Sequence, residues 1–313
     1  MSITSQIKEK ARQLGFFKIG IARAEPFPQL SALDEWLEYG RHGEMLWMER
    51  TRGKRQNPSL VLPNVRSIVM VGMNYYISES LENIQGLKFS RYAWGEDYHV
   101  LMEDKLKQLT AFFLSLFPSA KAKYYVDTGP VMEKPWAQKA GLGWIGKNTN
   151  LISSDHGSYL FLGEILADVN LDYDDPGADL CGNCSLCIQA CPTNALTPYS
   201  LDSTKCISYL TIEKRGEIPP DLKKGIGEWV YGCDECQDVC PWNASPQVTE
   251  EPGFLDVNPA LERLSVQSLH ENDFNDRFKK SPIKRIKYQG LSRNLEIARE
   301  NQESSKEHSS VPY

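Results

Sequence analysis

The feature that most constrains this chain is the stretch CGNCSLCIQACP at residues 181–192, which carries four of its eight cysteines. The spacing, C-x2-C-x2-C-x3-C-P, is one in which three thiolates bind one [4Fe–4S] cluster and the fourth binds a second cluster. The pattern therefore predicts a further group of cysteines downstream. That group is Cys233, Cys236 and Cys240, and Cys206 is the cysteine that lies outside both groups.

Two [4Fe–4S] clusters require eight thiolates, which is the number of cysteines in the chain, so none is left over. The spacing predicts one cluster bound by Cys181, Cys184, Cys187 and Cys240. It predicts a second bound by Cys191, Cys206, Cys233 and Cys236. Two zinc sites would also use eight thiolates, but this spacing is not that of a zinc ribbon. Two clusters in one small module favour electron relay, with a purely structural role as the alternative.

The remainder of the 313 residues is long enough for one large domain. Helical and strand-like patterns alternate through the first half of the chain, which indicates an α/β layered fold. An acidic segment with proline and glycine at 172–179 reads as a linker. We expect an α/β domain at 1–173, a ferredoxin-like domain with two clusters at 174–245, and a loop-rich, partly helical segment at 246–313 with a polar, disordered end. The predicted helices are 3–14, 30–40 and 98–117, and the predicted strands are 17–24, 67–76, 122–127, 148–154 and 158–169.

Net charge and hydropathy restrict the partners and the cellular location that we expect for this protein. The net charge of −6 argues against a protein that coats nucleic acid generally, although a local basic surface is compatible with it. Residues 277–287 hold six Lys or Arg and no acid, and such a run either contacts phosphates or forms a solvated surface. The N-terminus lacks an apolar signal-peptide core and no apolar run approaches the length of a membrane span. We therefore expect a cytoplasmic protein without a membrane partner, whose cysteines bind metal and do not form disulfides.

Asp127, in VDTGPVMEK, follows a predicted strand. Active sites of α/β sheets lie beyond the carboxyl ends of their strands, so this carboxyl is a candidate general acid if burial raises its pKa. The alternative is an Asx-turn or a helix N-cap, which the following Thr128, Gly129 and Pro130 favour locally.

Two other motifs fall short of cofactor signatures. Gly141, Gly143 and Gly146 have the spacing of a dinucleotide-binding loop, but they follow a helix-like segment and precede a strand, whereas that loop needs the reverse. The glycines therefore predict a turn near another cofactor or a simple chain reversal. Residues 97–102 begin like D-x-H-x-x-G, found in some cobalamin enzymes, but Met102 replaces the glycine, so the pattern does not indicate that His99 ligates cobalt.

Taken together, seven segments resemble the epoxyqueuosine reductases, which catalyse the last step of queuosine synthesis in tRNA. The resemblance extends to about residue 298. Its markers are SRYAWGEDYH (90–99), VDTGPVMEK (126–134), AGLGWIGKNTNLI (140–152), the cysteine run, KCISYLT (205–211), YGCDECQDVCPWN (231–243) and SPIKRIKYQGLSRN (281–294).

This resemblance implies a cobalamin-binding α/β domain of nitroreductase-like type, a ferredoxin-like domain with two [4Fe–4S] clusters, and a short helical C-terminal segment. The implied reaction removes the epoxide oxygen of epoxyqueuosine at the wobble position of a tRNA anticodon, using two electrons and two protons. An external flavodoxin- or ferredoxin-like donor would supply the electrons, and a monomer would suffice. The longest family members continue into HEAT-like repeats, of which residues 292–301 would form only the first helix.

The resemblance also assigns roles to individual residues. Asp127 would be the acid that protonates the opened epoxide. The implied cofactor contacts are Arg55, Ser90, Asp127, Ser208, Cys233 and Asp234. The implied tRNA contacts are Lys214, Arg215, Lys279, Lys280, Lys284, Arg285 and Lys287.

Two other functions remain as alternatives. One is a corrinoid and iron–sulfur reductase of a small molecule, similar to reductive dehalogenases; the basic stretch and the missing export signal argue against it. The other is an electron-transfer subunit without a substrate, which would leave the α/β domain without a role.

Overall fold

A computed structural model of the chain describes residues 2–26, 30–78, 86–262, 264 and 269–309. Helices α1 to α14 are Ile3–Gln13, Leu30–Glu38, Leu46–Arg50, Arg52–Gln56, Tyr98–Leu116, Glu133–Lys139, Leu186–Gln189, Ile207–Ile212, Pro220–Ile226, Glu235–Asp238, Pro252–Leu255, Pro259–Glu262, Glu271–Arg277 and Lys287–Ser309. Strands β1 to β10 are Lys18–Arg23, Ser67–Asn74, Lys88–Phe89, Ala122–Tyr125, Trp144–Ile145, Leu151–Ile152, Leu160–Ala167, Leu196–Thr197, Ser200–Leu201 and Trp229–Tyr231.

A four-stranded antiparallel sheet of order β1-β2-β7-β4 forms the centre of the first half. Every residue of β2 is buried, because helices cover both faces of the sheet, and this is why β2 is a nearly continuous apolar run. On one face Ile7 of α1 and Leu106 of α5 pack against Ile165 of β7. On the other face Trp136 of α6 packs against Leu166 of β7. The mixed α/β architecture expected from the sequence is confirmed.

The C-terminal third packs back onto the first half. Strand β10 pairs in parallel with β3, and one apolar cluster joins Phe89 and Trp94 to Phe274, Ile283 and Leu295. The segment after residue 246 consists of loops and helices α11 to α14, and its apolar residues complete this shared core. The expected disordered end is wrong as far as Ser309, where α14 ends; residues 310–313 lie outside the described residues.

The three glycines of the 141–146 motif permit close packing of the backbone. A β-carbon on Gly143 would lie 2.0 Å from the carbonyl oxygen of Ile152, and one on Gly141 would lie 2.6 Å from that of Asp175. Helix α6 precedes the motif and strand β5 follows it, so its context is not that of a dinucleotide site.

No helix in the described ranges is long and apolar enough to cross a membrane.

The tight packing at Gly143 predicts that Gly143→Ala destabilises the protein by about 1–3 kcal/mol, the usual cost of overpacking. The matched control is Gly53→Ala, since a β-carbon at Gly53 would meet its nearest neighbour at an ordinary 3.7 Å within α4. Thermal unfolding of both variants checks this. An unchanged melting temperature for Gly143→Ala would contradict the packing argument.

Candidate active site

A cavity of about 1200 Å³ opens between the carboxyl end of β4, the start of α5, and helix α8. It is larger than the 300–1000 Å³ typical of small-molecule sites. Aromatic, acidic, basic and hydroxyl side chains line it together. They include Tyr92, Tyr98, His99, Asp127, Lys134, Cys206, Ser208, Tyr231, Lys284 and Arg285.

Asp127 lies at the wall of this cavity, two residues after β4 ends. Its backbone has a φ of 55°, an unusual left-handed conformation for a residue with a side chain. Tyr98 donates a hydrogen bond of 2.9 Å to the Asp127 carboxylate, and Nε2 of His99 lies 3.5 Å from the same oxygen. Asp127 donates its backbone N–H to the Glu133 carboxyl at 2.5 Å. The carboxylate is thus held in one orientation and is 55 % exposed to the cavity.

His99 owes its position to the start of α5. Asp97 is the N-cap of that helix and accepts a hydrogen bond from the backbone N–H of His99. The same Asp97 oxygen lies 2.8 Å from Nδ1 of the ring, which directs Nε2 toward Asp127. Burial lowers the pKa of His99, but the two carboxylates outweigh burial and raise this pKa to about 9. The imidazole is therefore protonated at neutral pH.

The condition on which Asp127 would be a general acid at rest, a pKa raised by burial, is not met. Burial does act in that direction, but the nearby His99 imidazole and the hydrogen bond from Tyr98 outweigh it and leave the pKa below its ordinary value. At neutral pH Asp127 is a carboxylate beside an imidazolium. A proton that reaches a ligand from Asp127 would therefore originate on His99 or another neighbouring acid.

The first group of predicted cluster ligands surrounds a small cavity of about 240 Å³ lined by Cys181, Cys184, Cys187 and Cys240. Burial raises the pKa of Cys240, and the charges of the other three thiols raise it further. The structure therefore brings Cys240 to the run that lies more than fifty residues earlier, as the spacing predicted. The carbonyl oxygens of Gly182 and Cys184 accept hydrogen bonds from the ammonium of Lys147 at 2.6 and 2.8 Å. Lys147 thereby holds the backbone of the loop that carries the first cysteines.

The second group lies next to the first. Burial raises the pKa of Cys206, Cys233 and Cys236. The charge of Cys191 raises the pKa of Cys206 further, and the charges of Cys206 and Cys191 raise that of Cys236. Cys236 also interacts with Cys187 of the first group. Buried thiols of this kind become thiolates only beside a positive charge, which bound iron supplies.

Across the described ranges, no group of three or more His, Cys, Asp or Glu side chains is arranged to hold a single metal ion.

Cys206 joins the second cysteine group to the active-site cavity. It precedes α8, and it lines the same cavity as Asp127. The Lys134 side chain also lines this cavity, and the charges of Cys236 and Cys206 act on its ammonium. One wall of the cavity is therefore part of the predicted cluster environment.

The predicted cofactor contacts divide into two sets. Ser208 lines the cavity with Asp127. Ser90 and Asp234 are buried, and the Ser90 hydroxyl donates a hydrogen bond of 2.5 Å to the Asp234 carboxylate, so neither side chain lines the cavity. Arg55 donates to the carbonyl of Val131 at 2.8 Å and also lies outside the lining. Ser90, Asp234 and Arg55 are therefore not among the cavity-lining residues, and their contacts with a cofactor stay predictions, as does the contact from the backbone near Cys233 and Asp234.

The predicted tRNA contacts form two neighbouring basic areas. Lys284 and Arg285 lie at the cavity itself, exposed while Ile283 and Ile286 point into the core. Lys214, Arg215 and Lys287 line an adjoining groove of about 600 Å³. Lys279 and Lys280 are exposed just before this segment.

Acidic partners restrain some of these cations. Glu44 pairs with Lys214, and Glu213 pairs with Arg285 at 2.7 Å. The basic groups are therefore positioned before any polyanion binds.

Sequence reasoning missed the partners that set the charge of Asp127. Tyr98 and His99 were visible as the aromatic and charged stretch SRYAWGEDYH, and the Asp97 N-cap signal was also available. Their convergence on Asp127 depends on the packing of α5 beside β4, which no local pattern predicts.

Two protein-family models match separate parts of this chain. Residues 180–243 match the 4Fe-4S double cluster binding domain, and residues 55–128 match the family described as epoxyqueuosine reductase QueG, DUF1730. The chain thus carries the sequence pattern of a domain that binds two [4Fe–4S] clusters.

Full-length relatives give the same result. An epoxyqueuosine reductase from Cellulophaga algicola is 41 % identical over 93 % of this chain and 96 % of that protein. One from Synechocystis is 46 % identical over 84 % of this chain and 93 % of that protein.

Solved structures agree with the fold. An epoxyqueuosine reductase with an epoxyqueuosine-modified tRNA-Tyr stem loop superimposes with a TM-score of 0.86 at 28 % identity, over 97 % of this chain and 82 % of that one. The enzyme from Bacillus subtilis, solved with its catalytic aspartate loop swung out of the active site, gives 0.86 at 27 % identity over 97 % and 82 %. From the cysteine pattern, the matched domains and these relatives, the chain belongs to the epoxyqueuosine reductase family.

Proposed function

We propose that this protein reduces epoxyqueuosine to queuosine at the wobble position of tRNA, with electrons passing through two [4Fe–4S] clusters to a cobalamin in the 1200 Å³ cavity. The observation that carries the proposal is that Asp127 and Cys206 line the same cavity. A proton-handling carboxylate and a predicted cluster ligand thereby meet at one place. Epoxide reduction needs both electrons and protons there.

The cavity fits a cobalamin in size and chemistry. Its volume exceeds that of ordinary small-molecule sites, and its lining mixes aromatic rings with hydroxyl and charged groups. Ser208 in α8 and Asp127 after β4 would contact the cofactor, and so would the backbone near Cys233 and Asp234. When bound, cobalamin supplies cobalt that accepts single electrons and delivers a pair. The nitroreductase-like description of the α/β domain belongs to this proposal.

The protein's own groups handle the proton. Removal of the epoxide oxygen leaves negative charge on that oxygen, which a positioned acid neutralises. Tyr98 holds the Asp127 carboxylate, and the His99 imidazolium holds a proton 3.5 Å from it. We infer that this proton passes through Asp127 to the substrate oxygen. The catalytic aspartate loop of the Bacillus subtilis enzyme supports this role for Asp127, whose left-handed backbone lies in a turn after β4.

The basic areas would hold the RNA backbone. Lys284 and Arg285 lie at the cavity, where phosphates beside the wobble nucleotide would pass, and Lys214, Arg215 and Lys287 extend the contact along the adjoining groove. Lys279 and Lys280 would add contacts beyond. Such contacts position the anticodon loop without reading its sequence.

The remaining expectations complete the proposal. We propose a cytoplasmic monomer that takes electrons from a flavodoxin- or ferredoxin-like donor, with the expected division near residues 173 and 245. The two cysteine groups would hold the clusters as the spacing assigned them. Family membership does not favour the alternatives of a small-molecule reductase or a substrate-free electron carrier.

The direct test is anaerobic turnover of an epoxyqueuosine-bearing anticodon stem-loop by protein loaded with iron, sulfide and cobalamin, with product identified by mass spectrometry. We expect conversion by the wild type. Asp127→Asn keeps the Tyr98 contact but carries no acidic proton, so its rate falls by about 10²–10⁴-fold, the usual contribution of general acid catalysis. Asp104→Asn, an exposed change on α5, is the control and keeps the wild-type rate. No conversion by the loaded wild type would overturn the proposed function, and full activity of Asp127→Asn would remove Asp127 from the mechanism.

The basic areas predict a salt-dependent affinity. Each of Lys284→Gln and Arg215→Gln removes about one phosphate contact, so each lowers the slope of log affinity against log salt by about 1. Lys107→Gln, an exposed change on α5 outside both basic areas, leaves the slope unchanged. Fluorescence anisotropy with a labelled stem-loop at several salt concentrations measures the slope. Identical slopes for all three variants would show that the RNA backbone does not contact Lys284 or Arg215.

A further inference from the structure

One turn of the α/β domain lies against both cysteine groups. This β5–β6 turn consists of residues 146–150. The ammonium of Lys147 donates hydrogen bonds to backbone carbonyl oxygens of the loop that carries the first group. The side-chain amide of Asn148 donates to the carbonyl oxygen of Cys236, in the second group, at 3.3 Å. The β5–β6 turn therefore contacts the backbone of both groups.

The last residue of the β5–β6 turn also contacts a predicted cluster ligand directly. The amide nitrogen of Asn150 donates a hydrogen bond of 4.0 Å to Sγ of Cys236. The amide oxygen of Asn150 accepts a hydrogen bond of 3.1 Å from the ammonium of Lys134. An ammonium group can only donate, so this orientation of the amide pairs a donor with an acceptor in both contacts. One amide therefore connects a cation to a cluster sulfur.

Lys134 reaches the β5–β6 turn from helix α6, on the side of the active-site cavity. Its ammonium also donates to the carbonyl oxygen of Thr149 at 2.9 Å. Thr149 has a φ of 64°, a left-handed conformation that β-branched residues rarely adopt, and the bond holds the turn in this shape. Lys134 lines the cavity together with Cys206, a second predicted ligand of the same cluster. The cation thus belongs to the cavity wall and to the surroundings of the second cysteine group.

Hydrogen bonds and charges near its sulfur atoms set the reduction potential of an iron–sulfur cluster. A reduced cluster carries one more negative charge than an oxidised one, so a donor or a cation favours the reduced form. Asn150 supplies such a donor and Lys134 such a cation. The buried carboxylate of Asp234, next to Cys233, acts in the opposite direction, although the Arg91 guanidinium 3.5 Å away offsets part of its charge.

We propose that Lys134 and Asn150 raise the reduction potential of the second cluster through the hydrogen bond to Cys236. The inference rests on the two clusters of the proposed function and deepens it. These residues act on the equilibrium between the oxidised and the reduced cluster, and they form no bond to it and transfer no proton. The electron itself comes from the first cluster, as in the proposed function.

The location of the two cysteine groups explains why a higher potential on the second cluster is useful. Cys206 of the second group lines the cavity that holds Asp127. The first group lines a separate cavity of about 240 Å³. An electron that resides on the second cluster is therefore beside the proposed site of reduction, ready for transfer when the substrate binds.

The test is a redox titration, followed by electron paramagnetic resonance, of protein loaded with iron and sulfide but without cobalamin or RNA. We expect two one-electron steps in the wild type. Solvent in the open cavity screens part of the charge of Lys134. Lys134→Gln therefore lowers the equilibrium constant of one step by about threefold to tenfold, which is about 28–59 mV for one electron, and leaves the other step unchanged. Asn150→Ala lowers the same step, and Lys134→Arg, which keeps the charge, retains the wild-type potentials.

Two further lysines provide controls. Lys139→Gln removes a charge from the same helix, but its ammonium pairs with Glu25 at 2.8 Å, so both potentials should stay at the wild-type values. Lys147→Gln removes the cation that contacts the first cysteine group, so it should lower the other step. If Lys147→Gln and Lys134→Gln moved the same step, the assignment to the second cluster would be wrong. Iron analysis of each variant establishes that both clusters are present.

The outcomes distinguish this inference from the proposed function. Wild-type potentials in Lys134→Gln and in Asn150→Ala, at full iron content, would overturn the inference while leaving the proposed function intact. If Lys134→Gln loses iron, Asn150→Ala decides alone, because its change does not remove the cation that holds Thr149. A loaded wild type that does not convert the stem-loop would overturn the proposed function, and the potentials would still decide the inference.

Discussion

The arrangement of this protein depends on one buried carboxylate. Asp234 lies between two predicted cluster ligands, and it is 1 % exposed. It accepts hydrogen bonds from the Ser90 hydroxyl at 2.5 Å and the Arg91 backbone at 2.8 Å, while the Arg91 guanidinium lies 3.5 Å away. Burial raises the pKa of Asp234 to about 6, so these donors hold an anion at neutral pH. The contact fixes the second cysteine group against the α/β domain, and the parallel pairing of β3 with β10 extends it.

This contact brings the cysteine region and the sheet to two sides of one cavity. The cysteine groups adjoin each other through Cys187 and Cys236, and Cys206 reaches the cavity wall. On the opposite side, α5 presents Tyr98 and His99 to Asp127. The cluster domain supplies one side of the site and the sheet supplies the other. Neither half of the chain would form the site alone.

Local patterns predicted the parts that depend on spacing or periodicity. The cysteine groups follow from spacing, and helices such as α1 and α5 and strands such as β2 and β7 follow from periodicity. The local sequence did not predict the core that joins Trp94 to Phe274 and Leu295, because it forms between segments nearly two hundred residues apart. It also did not predict the ionised state of Asp127, because that state depends on a histidine brought close by tertiary packing.

The central claim is that the cavity shared by Asp127 and Cys206 is the site of reduction and holds the proposed cobalamin. Anaerobic titration with cobalamin, followed by visible absorption after removal of free cofactor, tests it most directly. Ser208→Trp fills the cavity, and Ser115→Trp places the same ring on the exposed side of α5. We expect one cobalamin per chain in the wild type and in Ser115→Trp, and none in Ser208→Trp, with iron content unchanged throughout. Wild-type cobalamin binding by Ser208→Trp would contradict it.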